Sequence, residues 1–235
     1  MAFKTTRWSL VLQAGDSGED STRALEELCS EYWKPVFLYV RGRGFSEEDS
    51  KDLVQQFFLH ILERKVVSRA DPNRGRFRYF VRASIRNFLA NEWDKGRAQK
   101  RGGGRARISI DAMANPGSLG ILSDEGATPD TLFERAWALA LIENVLRALE
   151  KEWNDRGKSA LFEALKSRIT GQELPGAYDA LSRELGMTES AVKVAAHRMK
   201  RRFRELLREA IHETVSSEDE LEQELRDLRD VLSGE

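Results

Sequence analysis

Apolar residues recur every three or four positions through most of the chain, which is the spacing that places them on one face of an α-helix. Segments rich in glycine, proline or aspartate interrupt this pattern at residues 15–18, 70–75 and 102–127. Apolar and polar residues do not alternate over any stretch that would predict a β-strand. The pattern predicts an all-α protein.

Three helices are predicted before residue 70: a short one over residues 6–14, a long one capped by Ser21, and one capped by Ser46. The long helix has seven apolar positions at helical spacing: Leu25, Leu28, Cys29, Trp33, Val36, Phe37 and Val40. The third helix begins with three acidic residues, which suit the positive end of the helix dipole. Its outer face carries Asp49, Asp52, Gln55 and Gln56. This face is either a contact surface for a partner or simply solvated.

The fourth predicted helix, over residues 74–101, is both basic and aromatic. Helical spacing gives it an apolar face made of Phe77, Phe80, Val81, Ser84, Ile85 and Phe88. The opposite face carries Tyr79, Arg82, Arg86 and Trp93. Guanidinium groups interleaved with aromatic rings suit phosphate binding and stacking on unpaired bases. The alternative is an amphipathic helix whose arginines only meet water.

Residues 102–127 contain three consecutive glycines and no sustained apolar period, which predicts a flexible linker. A second helical block begins at Thr128 and Pro129, a favoured pair for a helix start. Within this block, a helix over residues 178–185 stops at Gly186 and a longer helix follows Thr188. Such a pair is typical of helix–turn–helix DNA-binding domains, although structural bundles also contain it.

The longer helix has an apolar packing side, predicted as Val192, Ala196, Met199, Phe203, Leu206 and Ala210. Its other side carries Ser190, Lys193, Val194, His197, Arg198 and Arg201, which can reach bases and phosphates. Residues 215–235 follow as an acidic amphipathic helix capped by Ser217. This tail either folds over the basic helix and competes with DNA, or packs on the second domain or frays.

The formal net charge is only −1, but the charges are segregated along the sequence. Residues 74–101 and 193–204 are basic, whereas residues 47–52 and 218–235 are acidic. Because exposed charges in water are screened beyond roughly 10 Å at physiological salt, local patches matter more than the total. A near-neutral chain can therefore still bind a polyanion.

Several function classes are disfavoured by what the sequence lacks. Cys29 is the only cysteine, so no intramolecular disulfide or cysteine-based zinc site is expected. No phosphate-binding glycine loop, paired carboxylates with metal-like spacing, or activated nucleophile is found. We therefore predict a non-enzyme without metal or cofactor. We also predict a cytoplasmic protein without membrane insertion, because no signal peptide or spanning segment is found. The alternatives are a nucleic-acid-processing enzyme and a helical adaptor that does not bind DNA.

Three segments in order resemble a known family: DLVQQFFLHIL at residues 52–62, GRFRYFVRASIRNFLANE at 75–92, and LSRELGMTESAVKVAAHRMKRRFRELL at 181–207. They resemble bacterial RNA polymerase sigma factors of the extracytoplasmic-function (ECF) group, in the sigma-70-like family, over about residues 6–214. The resemblance implies two small helical domains joined by the flexible linker. Residues 1–101 would be the region 2 domain, and residues 128–214 the region 4 domain, a winged-helix-like helix–turn–helix domain.

The resemblance also implies a transcription initiation factor that binds core RNA polymerase and promoter DNA. Asp49, Asp52, Gln55 and Gln56 correspond to the surface that docks on the clamp helices of the β′ subunit, and the β flap would be a second polymerase contact. The basic aromatic helix corresponds to the element that opens the minus-10 promoter element. The second helix of the pair corresponds to the minus-35 reader, with Lys193, Val194, His197 and Arg198 at usual contact positions. An anti-sigma factor is a further candidate partner.

Some positions depart from the family pattern. Lys51 and Gln56 stand where acids are often found, and Ala195 stands where some relatives have a polar or basic contact. The resemblance favours Phe80 and Asn87 as minus-10 contacts, whereas the residue pattern favours the face with Tyr79, Arg82 and Arg86. We expect that basic face and residues 95–101 to hold phosphate and the Asn87 edge to meet bases. Ser50 is a candidate phosphorylation site.

Overall fold

The computed structural model describes residues 8–15, 19–63, 66–71, 75–99, 127–170, 177–212, 214–215 and 217–233. All regular structure in these residues is helical, which confirms the predicted all-α class. The α-helices are α1 (Trp8–Gly15), α2 (Glu19–Gly42), α3 (Glu47–Glu63), α4 (Phe77–Gln99), α5 (Pro129–Asn154), α6 (Ser159–Thr170), α7 (Ala177–Leu185), α8 (Glu189–His212) and α9 (Glu218–Ser233). A 3₁₀ turn, Val66–Arg69, lies between α3 and α4. No helix among these is long and apolar enough to cross a membrane.

Two of the predictions fall on parts of the chain that the structure does not describe. The predicted linker lies outside the described residues up to residue 126. The side chains of residues 95–101, expected to hold phosphate, also lie outside the described part.

Four helix starts are set by local side-chain caps. In each case a serine or threonine oxygen accepts a hydrogen bond from the backbone amide three residues later, which satisfies a donor that the helix itself leaves unpaired. The four bonds join Ser46 to Asp49 (3.0 Å), Thr128 to Thr131 (3.1 Å), Thr188 to Ala191 (3.2 Å) and Ser217 to Glu220 (3.3 Å). These predicted starts are confirmed.

Ser21 does not cap α2, contrary to the prediction. The helix already begins at Glu19, so Ser21 lies within its first turn. Its side chain is buried, and its hydroxyl donates a hydrogen bond to the carbonyl of Ala14 at 3.1 Å. The residue therefore links α2 to the end of α1 instead of starting the helix.

The chain divides into two compact units. Among the described residues, the first unit contains those within Thr5–Ala140 and Glu213–Glu235, and the second unit contains those within Leu141–His212. The division falls inside α5, which contributes its first half to one unit and its second half to the other. These limits differ from the predicted domain limits, which grouped residues 128–214 and set 215–235 apart. The roles assigned to the predicted domains stay predictions.

The first half of α5 is part of the core of the first unit. The Phe133 ring stacks on Tyr32, with centroids 6.4 Å apart, and meets Tyr39 edge-on at 6.5 Å. A Cβ at Gly42 would lie 2.7 Å from Cδ1 of Leu132 and 3.1 Å from the backbone Cα of Pro129, so glycine leaves room for the start of α5 close to the end of α2. Aromatic packing and close backbone contact thus hold the start of α5 against α2.

The buried face of α2 is rotated from the predicted one. Tyr32 and Tyr39 are fully buried, whereas Trp33 and Phe37 are only partly buried.

Cys29 lines a small apolar cavity of about 20 Å³ next to Tyr32. Burial, with a further contribution from the negative charge of Glu26, raises the pKa of the Cys29 thiol to about 12. Since the thiolate is the reactive form, this cysteine is inert at neutral pH.

Candidate nucleic-acid interface

The turn between α7 and α8 is built on Gly186. This residue has a φ of +60°, in the left-handed region that glycine adopts without a steric penalty. The amide of Met187 donates to the carbonyl of Ser182 at 2.9 Å, which closes the end of α7. All six predicted packing residues of α8 are buried, which confirms that side of the helix: Val192, Ala196, Met199, Phe203, Leu206 and Ala210.

Replacing Gly186 with alanine is expected to lower the free energy of unfolding by about 1 kcal/mol, because an added Cβ disfavours the left-handed conformation. A Cβ at this position would meet no atom within 4 Å, so the cost is conformational and not steric crowding. Urea denaturation monitored on the second unit measures it. Gly186→Asn is the control and should lose less, because asparagine tolerates this region better. Equal stability of the wild type, Gly186→Ala and Gly186→Asn would contradict the left-handed conformation at residue 186.

The other side of α8 is an exposed basic surface. All six predicted minus-35 residues are exposed: Ser190, Lys193, Val194, His197, Arg198 and Arg201. Lys193 pairs with Glu189 at 2.7 Å, and Arg201 with Glu205 at 3.4 Å, both on the same helix. Such exposed pairs contribute little in water, so phosphate groups can replace these carboxylates. This surface is called the α8 basic face below.

Arg202, next to this face, is a structural residue that the sequence did not single out. Its guanidinium binds Glu152 of α5 at 2.8 Å and Glu209 at 3.0 Å, both within the second unit. The hydrogen bond from Arg202 outweighs burial and lowers the pKa of Glu152. The same bond raises the pKa of Arg202 above its ordinary value. Glu152 is 50 positions away in the sequence. No local pattern could therefore have distinguished Arg202, which has a structural role, from the neighbouring basic residues that are candidates for DNA contact.

At the start of α4, three arginines surround one tyrosine. The guanidinium carbons of Arg76, Arg78 and Arg82 lie 5.6, 4.7 and 5.2 Å from the centre of the Tyr79 ring. Arg76 and Arg78 also donate hydrogen bonds to the Tyr79 hydroxyl, at 3.0 and 3.2 Å. We call these four residues the arginine cluster. Three like charges this close repel one another, so the cluster requires nearby anions.

The first half of α5 supplies one set of anions. Glu134 binds Arg78 at 2.8 Å and Arg82 at 2.9 Å, and Asp130 binds Arg82 at 3.3 Å. Arg78 also lies 4.3 Å from the centre of the Trp137 ring. Arg82, predicted to contact the minus-10 element, therefore already has two carboxylate partners in the structure. A nucleic acid that binds Arg82 must compete with them.

The acidic helix α9 supplies the second set of anions. Arg76 binds Glu224 and Asp227, each at 2.5 Å, and Arg78 also pairs with both carboxylates. Glu224 is almost completely buried, with 1% of its side chain exposed. The prediction that the tail packs on the second domain or frays is wrong, because α9 pairs with Arg76 and with the buried Arg78 of the first unit. The alternative that the tail folds over the basic helix, now seen as α8, stays a prediction.

Asp227 is held in its charged form by this arrangement. Burial raises its pKa, but hydrogen bonds from Arg76 and Gln223 and the charges of both arginines outweigh burial and lower the pKa overall. A carboxylate with a lowered pKa stabilises the folded state above its ordinary pKa, and this contribution disappears as the pH falls through the lowered value. Asp227 therefore carries its negative charge towards Arg76 and Arg78 at neutral pH.

The middle of α4 has an open face. Arg86 and Asn87 are exposed, and Trp93 is exposed over 63% of its surface. Phe80 is only partly buried, and its ring stacks on Phe77 at 5.7 Å. Residues from both predicted contact faces, Arg86 and Asn87, are thus accessible together. The predicted contacts nearer the helix start, Tyr79 and Arg82, belong to the arginine cluster.

The predicted polymerase-docking residues on α3 are divided between exposed and half-buried positions. Asp49 and Gln56 are exposed, whereas Asp52 and Gln55 are partly buried. Ser50 is completely buried, at 0% exposure, so the hypothesis that it accepts phosphate is wrong for the folded protein. No local pattern indicates this burial, because Ser50 lies between charged residues in the first turns of α3.

Comparisons with known proteins do not identify the chain: no family model, no curated protein and no solved structure matches it.

Proposed function

We propose that this protein is a sigma factor that binds core RNA polymerase and directs it to the promoters of a specific set of genes, acting in the cytoplasm. The α8 basic face is the observation that carries the proposal. Six residues selected from the sequence lie exposed on one side of a helix whose other side is buried, directly after a glycine turn. This arrangement suits a helix–turn–helix domain with α8 as the recognition helix in the major groove.

In the proposed mechanism, the α8 basic face reads the minus-35 element. Lys193, Arg198 and Arg201 neutralise phosphates and fix the register of the helix on the duplex. Ser190, Val194 and His197 lie near the base edges, where direct contacts supply sequence discrimination. Each good bidentate base contact is worth about 1–3 kcal/mol.

The open face of α4 receives the minus-10 element in this proposal. Unstacking a base costs a few kcal/mol, and stacking on an aromatic side chain returns roughly 1–3 kcal/mol per base. Asn87 and the partly buried Phe80 would meet bases, while Arg86 and Tyr79 would contact the backbone of the displaced strand. The outer face of α3, with Asp49, Asp52, Gln55 and Gln56, would bind the β′ clamp helices. The predicted linker, residues 102–127, would join the two DNA-binding regions that contact separate promoter elements.

Transcription by core RNA polymerase supplemented with the purified chain tests the proposal. A library of promoter sequences should yield defined start sites only when the chain is added. Binding of the chain to core polymerase, measured separately, distinguishes a sigma factor from a DNA-binding protein that acts alone. Degradation of the template would favour the nucleic-acid-processing enzyme, and no effect of the chain on any template would favour the adaptor.

A further inference from the structure

We propose that α9 is an internal acidic cover that occupies the arginine cluster in the free protein and is displaced when single-stranded DNA binds α4. The inference rests on the proposed function, because it concerns access to the same minus-10 surface. It also assigns a role to residues 215–235, the tail that the resemblance to sigma factors does not cover.

The contact between α9 and the cluster is chemically similar to a contact with phosphate. Arginine binds carboxylate and phosphate with the same fork of N–H donors. Glu224 and Asp227 each present a carboxylate oxygen to Arg76 at 2.5 Å, and both carboxylates also pair with Arg78. Because the side chains of Arg76 and Arg78 are only 15% and 5% exposed, a DNA phosphate can reach them only after these carboxylates move away.

The attachment of α9 combines ion pairs with limited apolar packing. Only three residues of this 16-residue helix are buried: Leu221, Glu224 and Leu228. Acidic residues outnumber basic ones along its length, and Leu232 near its end is exposed. A competing polyanion can replace the ion pairs, and the two buried leucines are the apolar contacts that displacement of α9 must break.

The acids from α5 are attached more firmly than those of α9. Glu134 and Asp130 belong to a helix segment anchored by Phe133 in the core and by Leu132 against Gly42. Arg78 therefore keeps Glu134 as a partner when α9 leaves, and no buried guanidinium is left without a counter-charge. Arg76 is the residue that changes partner most completely, since both of its carboxylates come from α9.

A binding assay on the full chain tests the proposal with Glu224→Gln combined with Asp227→Asn. These substitutions keep the shape of the side chains and remove the charges that face the arginine cluster. The variant is expected to bind a fluorescent single-stranded oligonucleotide about tenfold more tightly than the wild type, within the usual range of coupling between two sites. The control is Asp219→Asn combined with Asp230→Asn, which removes two exposed charges from the same helix. Its affinity should change less than about twofold if the effect depends on the cluster and not on net charge.

Hydrogen exchange of the wild-type chain provides a second test that needs no variant. Saturating single-stranded oligonucleotide should accelerate exchange of the α9 amides while α8 stays protected. If α9 exchanges at the same rate with and without bound DNA, or if the two double variants bind equally, the cover is ruled out and the proposed function still stands. A third outcome is that the wild type and the two double variants bind no single-stranded DNA, either alone or with core polymerase. In that case the proposed function fails together with the inference.

Discussion

Phe133→Ala is expected to lower the free energy of unfolding of the first unit by about 3–5 kcal/mol, the usual cost of removing a buried aromatic side chain. The Phe133 ring is completely buried and contacts both Tyr32 and Tyr39 of α2. Its removal leaves a cavity at the point where α5 joins this core. Urea denaturation gives the total loss, and hydrogen exchange should show faster opening of α2.

Phe162→Ala is the matched control for this prediction. Phe162 is also a buried phenylalanine, but it belongs to α6 in the second unit. Its replacement should accelerate exchange in the second unit and leave α2 protected. If Phe133→Ala instead loosened α7 and α8 and left α2 unchanged, the start of α5 would belong with residues 141–212, as the predicted domain limit at residue 128 has it.

Lys193→Ala combined with Arg198→Ala is expected to weaken binding to duplex DNA carrying the upstream promoter element about 100-fold. Both side chains are exposed on the α8 basic face, and two lost contacts to charged phosphate groups, at about 1.5–3 kcal/mol each, give a reduction of this order. The dependence of log affinity on log salt should also become shallower by about one unit for each phosphate contact that is lost. Binding to core polymerase should not change.

Lys158→Ala combined with Lys166→Ala controls for the loss of two positive charges. Both lysines are exposed in the second unit, on and just before α6. This variant should keep most of its DNA affinity. An equal loss in both double variants would show that only net charge matters, and a loss of polymerase binding in the α8 variant would show that this face has a different partner.

The ion pairs of the arginine cluster determine which part of α4 a displaced promoter strand would contact first. The basic side chains at the start of α4 are already paired with carboxylates from α5 and α9, whereas Arg86 and Asn87 remain accessible. We therefore expect first contact with a displaced strand at the open face of α4, at Arg86 and Asn87. Exchange of the α9 carboxylates for phosphates would follow, and it would add contacts only once a strand is present.

The sequence by itself determined the helices and the two sides of α8. Caps such as Ser46 and Thr188 bind amides three residues away, so the information for each helix start is local. The apolar period of α8 likewise separates its buried residues from Lys193 and Arg198, because helical spacing fixes which side chains share a face.

Only the tertiary structure decided which polar and charged residues are buried. Arg78 lies in a segment that reads as an exposed basic helix, yet it binds Glu134, 56 positions away, and Glu224 of α9. Ser50 and Ser21 are buried for the same reason, since neighbouring helices cover positions that the local pattern leaves open. Periodicity shows which side of a helix is apolar, but a polar residue at the edge of that side is buried only when a distant segment brings it a partner or covers it.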